Sequence, residues 1–347
     1  MCEISFENDF LPTCKSHGQL LCKAISQGSV KLWNSVLQYN VNINDLDNLG
    51  NSPLHLAAKN MIKKEAAALL LAQDCDINLC YNEDGKSPLL WAIKHDNDDI
   101  VNLALHNHAD PNVLDKYTSN QSPLHIAATY NTLRTAELLL ANDCDINLYN
   151  NDRQTPLIIA TSNGSQNMVA LLLSYGCSKQ NYVTKIMSHH FKSLRLKADP
   201  NVLDKYTSNQ SPLHIAATYA TLRTAELLLT NDCDINLYNN DRQTPLIIAT
   251  SNGSQNMVAQ ADPNVLDKYT SNQSPLHIAA TYDKIRTAEL MTLSHDFDIN
   301  LYNNDRQTPL IIATSNGSQH LVSYYFLMDV EQNYVNANNE SPFASLP

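Results

Sequence analysis

Four histidines stand at the same place in a recurring Ser-Pro-Leu-His segment, and histidine is a common general base and metal ligand. They are His55, His125, His214 and His277. A catalytic histidine acts beside one nucleophile in one site, so four equivalent copies do not fit that role. We predict instead that each histidine makes the same structural hydrogen bond, which ties a loop to a helix in every copy.

The remaining histidines and cysteines lack the context of a metal site. The clustered histidines are His106, His108, His189 and His190, and the closest cysteines are Cys75 and Cys80. No Cys-x-x-Cys or His-Glu-x-x-His segment accompanies them, although zinc sites usually carry such spacing. The sequence therefore predicts no metal site.

Phosphate binding and acid–base chemistry are also poorly supported. Gly85-Lys86-Ser87 resembles the end of a phosphate-binding loop, but Cys80 stands where that loop needs another glycine. The many carboxylates fall in Asp-Cys-Asp and Asn-Asn-Asp turns, where we expect them to be solvated, unlike a desolvated acid–base pair. We predict no catalytic residue, no cofactor and no small-molecule substrate, so the chain is not expected to be an enzyme.

These residues are positioned by internal repeats. Residues 109–170 recur at 198–259 with two differences in 62 positions, Asn131 against Ala220 and Ala141 against Thr230, and a looser copy starts at residue 261. Within each copy a shorter unit recurs after about 33 residues, which is typical of stacked repeat architectures. Such a stack offers a long surface and no enclosed pocket, so the pattern favours binding over catalysis.

Each short unit is predicted to begin a helix at the proline of Ser/Thr-Pro-Leu, because proline suits the first helical turn and the preceding hydroxyl is a good N-cap. The prolines are Pro53, Pro88, Pro123, Pro156, Pro212, Pro245, Pro275 and Pro309, and a ninth candidate is Pro342. A second apolar helix follows, for example over residues 65–71, 134–140 and 167–173, and the unit closes with Asp-Ile-Asn or Asp-Pro-Asn.

This unit resembles the ankyrin repeat, whose pattern is Gly-x-Thr-Pro-Leu-His-x-Ala-Ala, a Leu-rich second helix and a closing Asp-Ile-Asn. The resemblance covers about residues 17–339. It implies an all-α ankyrin-repeat solenoid of stacked helix-turn-helix units with β-hairpin-like finger loops. It also implies a curved slab whose concave face binds proteins.

The glycine that precedes the proline by three residues in this pattern is replaced in most units. Gly50 and Gly85 keep it, whereas one class of repeat has asparagine and the other has arginine. The replacements are Asn120, Asn209, Asn272, Arg153, Arg242 and Arg306. A left-handed backbone suits arginine poorly, so we expect strained or rearranged fingers there, at a cost of about 1 kcal/mol each.

The resemblance divides the chain into segments that lack or keep the pattern. Residues 1–16 are a tail, 17–49 a capping repeat, 50–180 repeats, 181–208 a degenerate repeat or insert, 209–338 further repeats and 339–347 an incomplete repeat. In the capping repeat we predict helices over 19–26 and 30–39, and in the degenerate repeat a second helix over 191–196. The degenerate repeat also holds the chain's only basic concentration, Lys185, His189, His190, Lys192, Arg195 and Lys197.

The second helix near residues 254–262 is predicted to be truncated. The first copy has Leu171, Leu172 and Leu173, but the second copy passes at that point directly into Gln260-Ala261-Asp262. Losing three buried leucines removes about 5–9 kcal/mol of apolar burial, so we expect a kink or fraying. Residues 339–347 start a repeat without its second helix, from which we expect a longer natural protein.

Composition restricts the partners. The formal charge of −12 disfavours nucleic acid, and no apolar run is long enough for a membrane span. Cys75, Cys144 and Cys233 share one repeat position, as small buried side chains do more often than disulfide partners. The first ten residues carry acidic side chains where a signal peptide needs basic ones. We therefore expect an intracellular protein, in the cytoplasm or the nucleus.

Tyrosines and arginines in the fingers are the candidate partner-binding residues. They are Tyr117, Tyr149, Arg153, Tyr206, Tyr238, Arg242, Tyr269, Tyr302 and Arg306. Both residue types are enriched at protein interfaces, and together they suit an extended, partly acidic peptide. The alternative is that the rings pack between adjacent fingers. Trp91, by contrast, stands where other repeats have Leu or Ile, which indicates a core position.

Repeats without chemistry of their own point to an adaptor or scaffold that binds protein partners through the concave face. A stiff stack has little ordering entropy to lose on binding. In proteins that the chain resembles, such arrays also accompany ubiquitin-ligase boxes, kinase or polymerase domains, or channel segments. The alternative is therefore a recognition fragment of a larger protein.

Overall fold

A computed structural model describes residues 16–39, 41–59, 64–72, 75–79, 85–183, 198–205, 208–254, 258, 266, 271–293 and 297–338. Two candidate tyrosines, Tyr206 and Tyr269, lie outside the described residues. The whole basic segment over residues 185–197, nearly all of the predicted truncation and residues 339–347 also lie outside the described residues.

The described residues are all-α and form helix pairs. In chain order the helices are α1 (His17–Ser26), α2 (Val30–Val36), α3 (Pro53–Lys59), α4 (Lys64–Leu71), α5 (Pro88–Lys94), α6 (Asp98–His106), α7 (Pro123–Tyr130), α8 (Leu133–Ala141), α9 (Pro156–Ser162), α10 (Gln166–Val183), α11 (Pro212–Thr218), α12 (Leu222–Leu229), α13 (Pro245–Asn252), α14 (Pro275–Thr281), α15 (Ile285–Leu293), α16 (Pro309–Ser315) and α17 (Gln319–Asn338). Apart from two isolated bridges, these residues contain no β-pairing. The predicted all-α repeat architecture is confirmed.

The proline anchors start the first helix of each pair as expected. In α5, α7, α11 and α13 the Ser or Thr before the proline has an extended backbone, and its Oγ accepts a hydrogen bond from an N–H of the first turn. This cap satisfies one of the N–H groups that a helix start leaves unpaired. The sequence therefore determines the start of these helices locally, before any packing.

The helices belong to two compact units, residues 1–160 with 174–198 and residues 161–173 with 199–347. In the first unit α3 packs between α1 and α5, and α5 packs against α7. In the second unit α11, α13, α14 and α16 pack one against the next. Paired alanines of these first helices are fully buried, for example Ala127 and Ala128. Such small side chains allow neighbouring first helices to approach closely.

Helix α10 is longer than the sequence indicates, because it continues to Val183 and not to residue 173. Helices α8 and α12 end at an Asn-Asp-Cys-Asp turn, whose asparagine and aspartate favour leaving the helix. Residues 174–179 read Ser-Tyr-Gly-Cys-Ser-Lys and lack that turn. The helix therefore lacks the Asn-Asp stop signal of α8 and α12, and it continues through Gly176.

The loops between repeats are hairpin-like fingers of two lengths. In the longer finger, Asp115 pairs with Gln121, and Asp204 pairs likewise with Gln210. In the shorter one, the N–H of Asn150 donates to the carbonyl of Gln154 at 3.0 Å. A three-residue loop of this kind places its last residue in the left-handed region. The finger length thus decides where the left-handed residue falls.

A polar ladder runs along the Asp-x-Asn turns of successive repeats. The side-chain oxygen of Asn78 accepts from the N–H of Asp110 at 3.1 Å, and that of Asn112 accepts from the N–H of Asp145 at 2.7 Å. Asn201 and Asp234 make the same bond at 2.6 Å. Because each bond links one repeat to the next, the Asp-x-Asn residues fix the spacing of the turns rather than contribute chemistry.

Candidate partner-binding surface

The four repeated histidines link each first helix to the following finger. Each Nδ1 lies 2.7 Å from the Oγ of the N-cap serine, in the pairs Ser52–His55, Ser122–His125, Ser211–His214 and Ser274–His277. Each Nε2 lies 2.8–2.9 Å from a backbone carbonyl of the next finger, those of Lys86, Gln154, Gln243 and Gln307. The predicted structural hydrogen bond is therefore present in all four copies.

The partners also determine the protonation state of these rings. A carbonyl only accepts, so Nε2 carries the proton, and Nδ1 is left to accept from the serine N–H at 3.1–3.2 Å. Burial, offset in part by the carbonyl bond, lowers the pKa of His125 and His214 to about 4. Burial likewise lowers the pKa of His55 and His277. These rings are neutral at pH 7 and have no free nitrogen to act as a base.

The structure also describes the Cys233 thiol, the candidate metal ligands and the length of the helices. Burial, with the nearby Asp234 charge, raises the pKa of the Cys233 thiol to about 11, so this group is protonated at neutral pH. Within the part of the chain that the structure covers, no three His, Cys, Asp or Glu side chains are grouped as metal ligands. No helix there combines the length and the apolar character needed to cross a bilayer.

The finger tyrosines that the structure describes all face solvent to a large extent. Tyr117 is 68% exposed and Tyr302 is 66% exposed, while Tyr149 and Tyr238 are less so. Aromatic rings this exposed bury little area within the chain and have most of it left for a partner. Exposure therefore favours the interface interpretation for Tyr117 and Tyr302 in particular.

Tyr117 also contacts the preceding finger, as the alternative interpretation requires. Gly85 has φ +57°, and a Cβ placed on it would lie 2.2 Å from Cε2 of Tyr117. The ring therefore lies directly over the glycine, which has no side chain to displace it. This contact holds one face of the ring in place and leaves the rest accessible, so the two interpretations are compatible at Tyr117.

The three finger arginines occupy the left-handed backbone region. Arg153, Arg242 and Arg306 have φ values of 57°, 55° and 56°, and all three side chains are exposed. The predicted left-handed conformation is confirmed, and the finger keeps its hairpin bonds instead of rearranging. This conformation costs each arginine about 1 kcal/mol relative to glycine.

Neighbouring fingers are hydrogen-bonded to one another at their tips. The carbonyl of Ser119 accepts from the N–H of Asn151 at 2.7 Å, and the side chain of Asn120 donates to the Asn151 side-chain oxygen at 2.9 Å. The same backbone bond joins Ser208 to Asn240 and Ser271 to Asn304. Each bond joins a finger that carries a left-handed Ser-Asn pair to the next, arginine-bearing finger, so tyrosines and arginines lie on mutually fixed loops.

The structure adds a second set of tyrosines that sequence reasoning missed. Tyr130, Tyr219 and Tyr282 follow the Ala-Ala-Thr of α7, α11 and α14, and each is 58–63% exposed. Their signal was available, because they recur at one repeat position immediately after the buried alanines. The sequence pattern indicated candidate contacts only in the fingers, whereas the last turn of each first helix is exposed as well.

Trp91 lies in the core as expected, with one part of its ring near charged groups. It is 9% exposed and makes edge contacts with His55 and His95, at ring-centroid distances of 6.0 and 5.9 Å. The Nζ of Lys59 lies 5.5 Å from its ring centroid, within the range of a cation–π interaction. The indole therefore orients a lysine at the end of a first helix.

The chain matches a family model described as ankyrin repeats in three copies. The matched ranges are residues 21–115, 97–183, 183–260 and 257–339. Together these ranges include every Ser/Thr-Pro-Leu segment from Pro53 to Pro309. The match and the helix pairs agree on the repeat unit.

Curated relatives share this region with the chain. The transient receptor potential cation channel subfamily A member 1 of Homo sapiens is 24% identical over 322 residues, which are 84% of this chain and 28% of that protein. The B-cell lymphoma 3 protein of Homo sapiens is 30% identical over 216 residues, 56% of this chain and 47% of that protein. The neurogenic locus notch homolog protein 1 of Xenopus tropicalis is 32% identical over 127 residues, 36% and 5% respectively. The chain thus spans less than half the length of each.

Proposed function

Because the chain belongs to the ankyrin-repeat family, we propose that it is a non-catalytic adaptor that binds partner proteins through its fingers and the exposed ends of its first helices. Ankyrin repeats generally mediate protein–protein interaction. The finer proposal is that tyrosines and arginines of this surface make the contacts, in an intracellular setting.

The observation that carries the proposal is the presence of exposed tyrosine and arginine on fingers that are already hydrogen-bonded together. Ser119 to Asn151 and Ser271 to Asn304 fix pairs of fingers at 2.7 and 2.6 Å. A loop that is ordered before binding loses little entropy when a partner arrives. Tyr and Arg are the residue types most enriched among strong interface contacts.

A second property supports binding rather than catalysis. Among the described residues, His125 and His214 have pKa values lowered to about 4, and both ring nitrogens of each make structural hydrogen bonds. A perturbed pKa is therefore explained by burial in the repeat and does not mark an acid–base site.

We expect replacement of three finger tyrosines to weaken partner capture at least about tenfold without unfolding the chain, since all three side chains are exposed and none belongs to the buried core. The variant is Tyr117→Ala, Tyr149→Ala and Tyr302→Ala. Immobilised wild type and variant are exposed to the same lysate, the specifically retained proteins are quantified, and the affinity of the main one is measured with purified material.

The matched control replaces Val30, Tyr39 and Leu69 by alanine, because these exposed apolar side chains lie outside the fingers. The control should capture the partner as the wild type does. Full-strength capture by the tyrosine variant, or equal loss in the control, would show that the fingers are not the contact surface.

A second candidate function is that the array is the recognition segment of a larger protein. The observation that favours it is the coverage of the relatives, since the matched region is 28% of the human channel protein and 5% of the frog notch homologue. A full-length transcript read past codon 347 tests this idea. A frame that continues into another domain would make that domain the source of the function.

A further inference from the structure

Three lysines distinguish the first helices near the start of the array from those that follow. Lys59 and Lys94 are the last residues of α3 and α5, and Lys86 precedes the N-cap of α5. The residues that match Lys59 and Lys94 in the later repeats are all neutral, namely Thr129, Ser162, Thr218, Ser251, Thr281 and Ser315. Gln121, Gln154, Gln210, Gln243, Gln273 and Gln307 match Lys86. The inner-face lysine cluster (Lys59, Lys86 and Lys94) is thus confined to two repeats.

Lys59 and Lys94 lie on one surface. The Nζ of Lys59 lies over the Trp91 ring. The His95 ring also contacts Trp91, at a ring-centroid distance of 5.9 Å. After burial, the charges of Lys59 and Lys94 are what lowers the pKa of His95, which places both ammonium groups near that ring. Both lysines are exposed, and the described residues offer neither of them a carboxylate within ion-pair distance.

Lys86 differs because it is neutralised inside the protein. Its Nζ lies 3.3 Å from a carboxylate oxygen of Asp115, and both side chains are almost fully buried. Separating a buried pair of this kind would leave an uncompensated charge, at a cost of about 3–5 kcal/mol. The positive charge that remains available to a ligand therefore comes from Lys59 and Lys94.

Beside Lys94 is a hollow of about 80 Å³. Leu90 and Ile126 provide its apolar lining, Lys94 and Tyr130 line it as well, and its polar lining includes the mutually neutralised Lys86–Asp115 pair. The volume suits one aliphatic side chain, and Tyr130 is 63% exposed next to it. An apolar hollow beside an exposed ammonium group is matched by a ligand that carries an aliphatic group next to an anion.

We propose that the inner-face lysine cluster is a docking subsite for an acidic segment of a partner protein, with carboxylates at Lys59 and Lys94 and an adjacent aliphatic side chain in the hollow beside Tyr130. The subsite deepens the proposed adaptor function and rests on it. Charge complementarity supports the assignment, because Lys59 and Lys94 present two exposed ammonium groups to a docked carboxylate. The Debye length is about 8 Å at physiological salt, so these nearby charges act on the ligand more strongly than the distant acidic residues of a chain that carries −12.

The test measures the anisotropy of a fluorescein-labelled peptide, acetyl-Glu-Asp-Glu-Leu-Asp-Glu-amide, against the full chain. We expect saturable binding that weakens as salt is raised. The peptide with every Glu and Asp changed to Gln and Asn should bind at least about tenfold more weakly, since it keeps the leucine but lacks the charges. Lys59→Glu with Lys94→Glu should weaken binding of the acidic peptide by a similar factor.

The matched control is Lys31→Glu with Lys205→Glu, which changes the net charge equally at exposed sites elsewhere. It should bind the acidic peptide like the wild type, and circular dichroism will confirm that both double variants fold. Lys59→Gln with Lys94→Gln removes the charge without reversing it and should also lose binding.

Three results would overturn the subsite. They are equal binding of the amide peptide, undiminished binding by Lys59→Glu/Lys94→Glu, and equal or tighter binding of a thymidine oligonucleotide of the same charge, which would indicate a general polyanion site. Failure here is distinguishable from failure of the adaptor function. A partner captured through Tyr117, Tyr149 and Tyr302 with no effect of the lysine changes would retain the adaptor and reject the subsite.

Discussion

The free energy of unfolding will fall by about 4 kcal/mol between pH 7 and pH 5 through His125 and His214 alone. Burial lowers the pKa of both rings from 6.5 to about 4, so in this range the unfolded chain binds protons that the folded chain does not. Stability therefore rises with pH across the window. It is fully present above about pH 6.5 and is lost as the pH falls towards 4.

The physical reason is that a protonated ring cannot keep its bonds. With protons on both nitrogens, Nδ1 of His125 would face the N–H of Ser122 at 3.2 Å, donor against donor. The burial that lowers the pKa of His55 and His277 acts in the same direction and adds to the loss. Urea unfolding followed by circular dichroism at half-unit steps from pH 7.5 to 4.5 measures the slope.

The chain itself supplies the control for this prediction. Ile158 and Ile247 occupy the histidine position in the alternate repeats and are buried there. His125→Ile with His214→Ile should therefore fold and flatten the pH dependence, whereas changing the exposed His106 to Gln should leave it intact. A slope that survives in the isoleucine variant would assign the acid sensitivity to other groups.

Replacing the three finger arginines by glycine should raise stability and weaken partner binding at the same time. Arg153, Arg242 and Arg306 sit at φ 55–57°, where glycine carries no Cβ penalty. After the entropy that glycine adds to the unfolded chain, the gain is about 0.5–1 kcal/mol per site, or about 2 kcal/mol in total. Thermal and urea unfolding measure the gain, and partner affinity is measured in parallel.

A control that removes arginine charge without changing backbone strain separates the effect of charge from the effect of strain on stability and binding. Arg134, Arg223 and Arg286 are exposed on second helices, each in an ion pair with a glutamate three residues later. Their replacement by alanine should lower stability by no more than about 0.5 kcal/mol each and leave partner binding unchanged. If the glycine variant is no more stable than the wild type, the arginine fingers are not strained. If it gains stability yet binds equally well, the arginines do not contact the partner.

Local sequence chemistry accounts for most of the fold. The Ser-Pro-Leu-His segment specifies an N-cap, a first turn and a bridging histidine within four residues, so helix starts and the role of His125 were both predictable. The left-handed fingers were predictable as well, because the family pattern places glycine where Arg153 stands. Each of these features depends on residues close together in the sequence.

Features that depend on contacts between neighbouring repeats could not be predicted from the sequence. The ion pair of Lys86 with Asp115 joins two fingers 29 positions apart, and only packing makes a buried lysine acceptable there. The contact of Tyr117 with Gly85 has the same origin. The length of α10 was not predictable either, because Gly176 would ordinarily favour a helix end at that point. The exposure of Tyr130 could be predicted only from knowing which end of each first helix is exposed to solvent.

Hydrogen–deuterium exchange of the full chain, with and without the captured partner, tests the central claim most directly. The proposal predicts added protection at fingers 115–121, 150–154 and 303–307 and at the helix ends around Lys94 and Tyr130, with little change over the second helices 133–141 and 222–229. Protection confined to those second helices, with unchanged fingers, would contradict it.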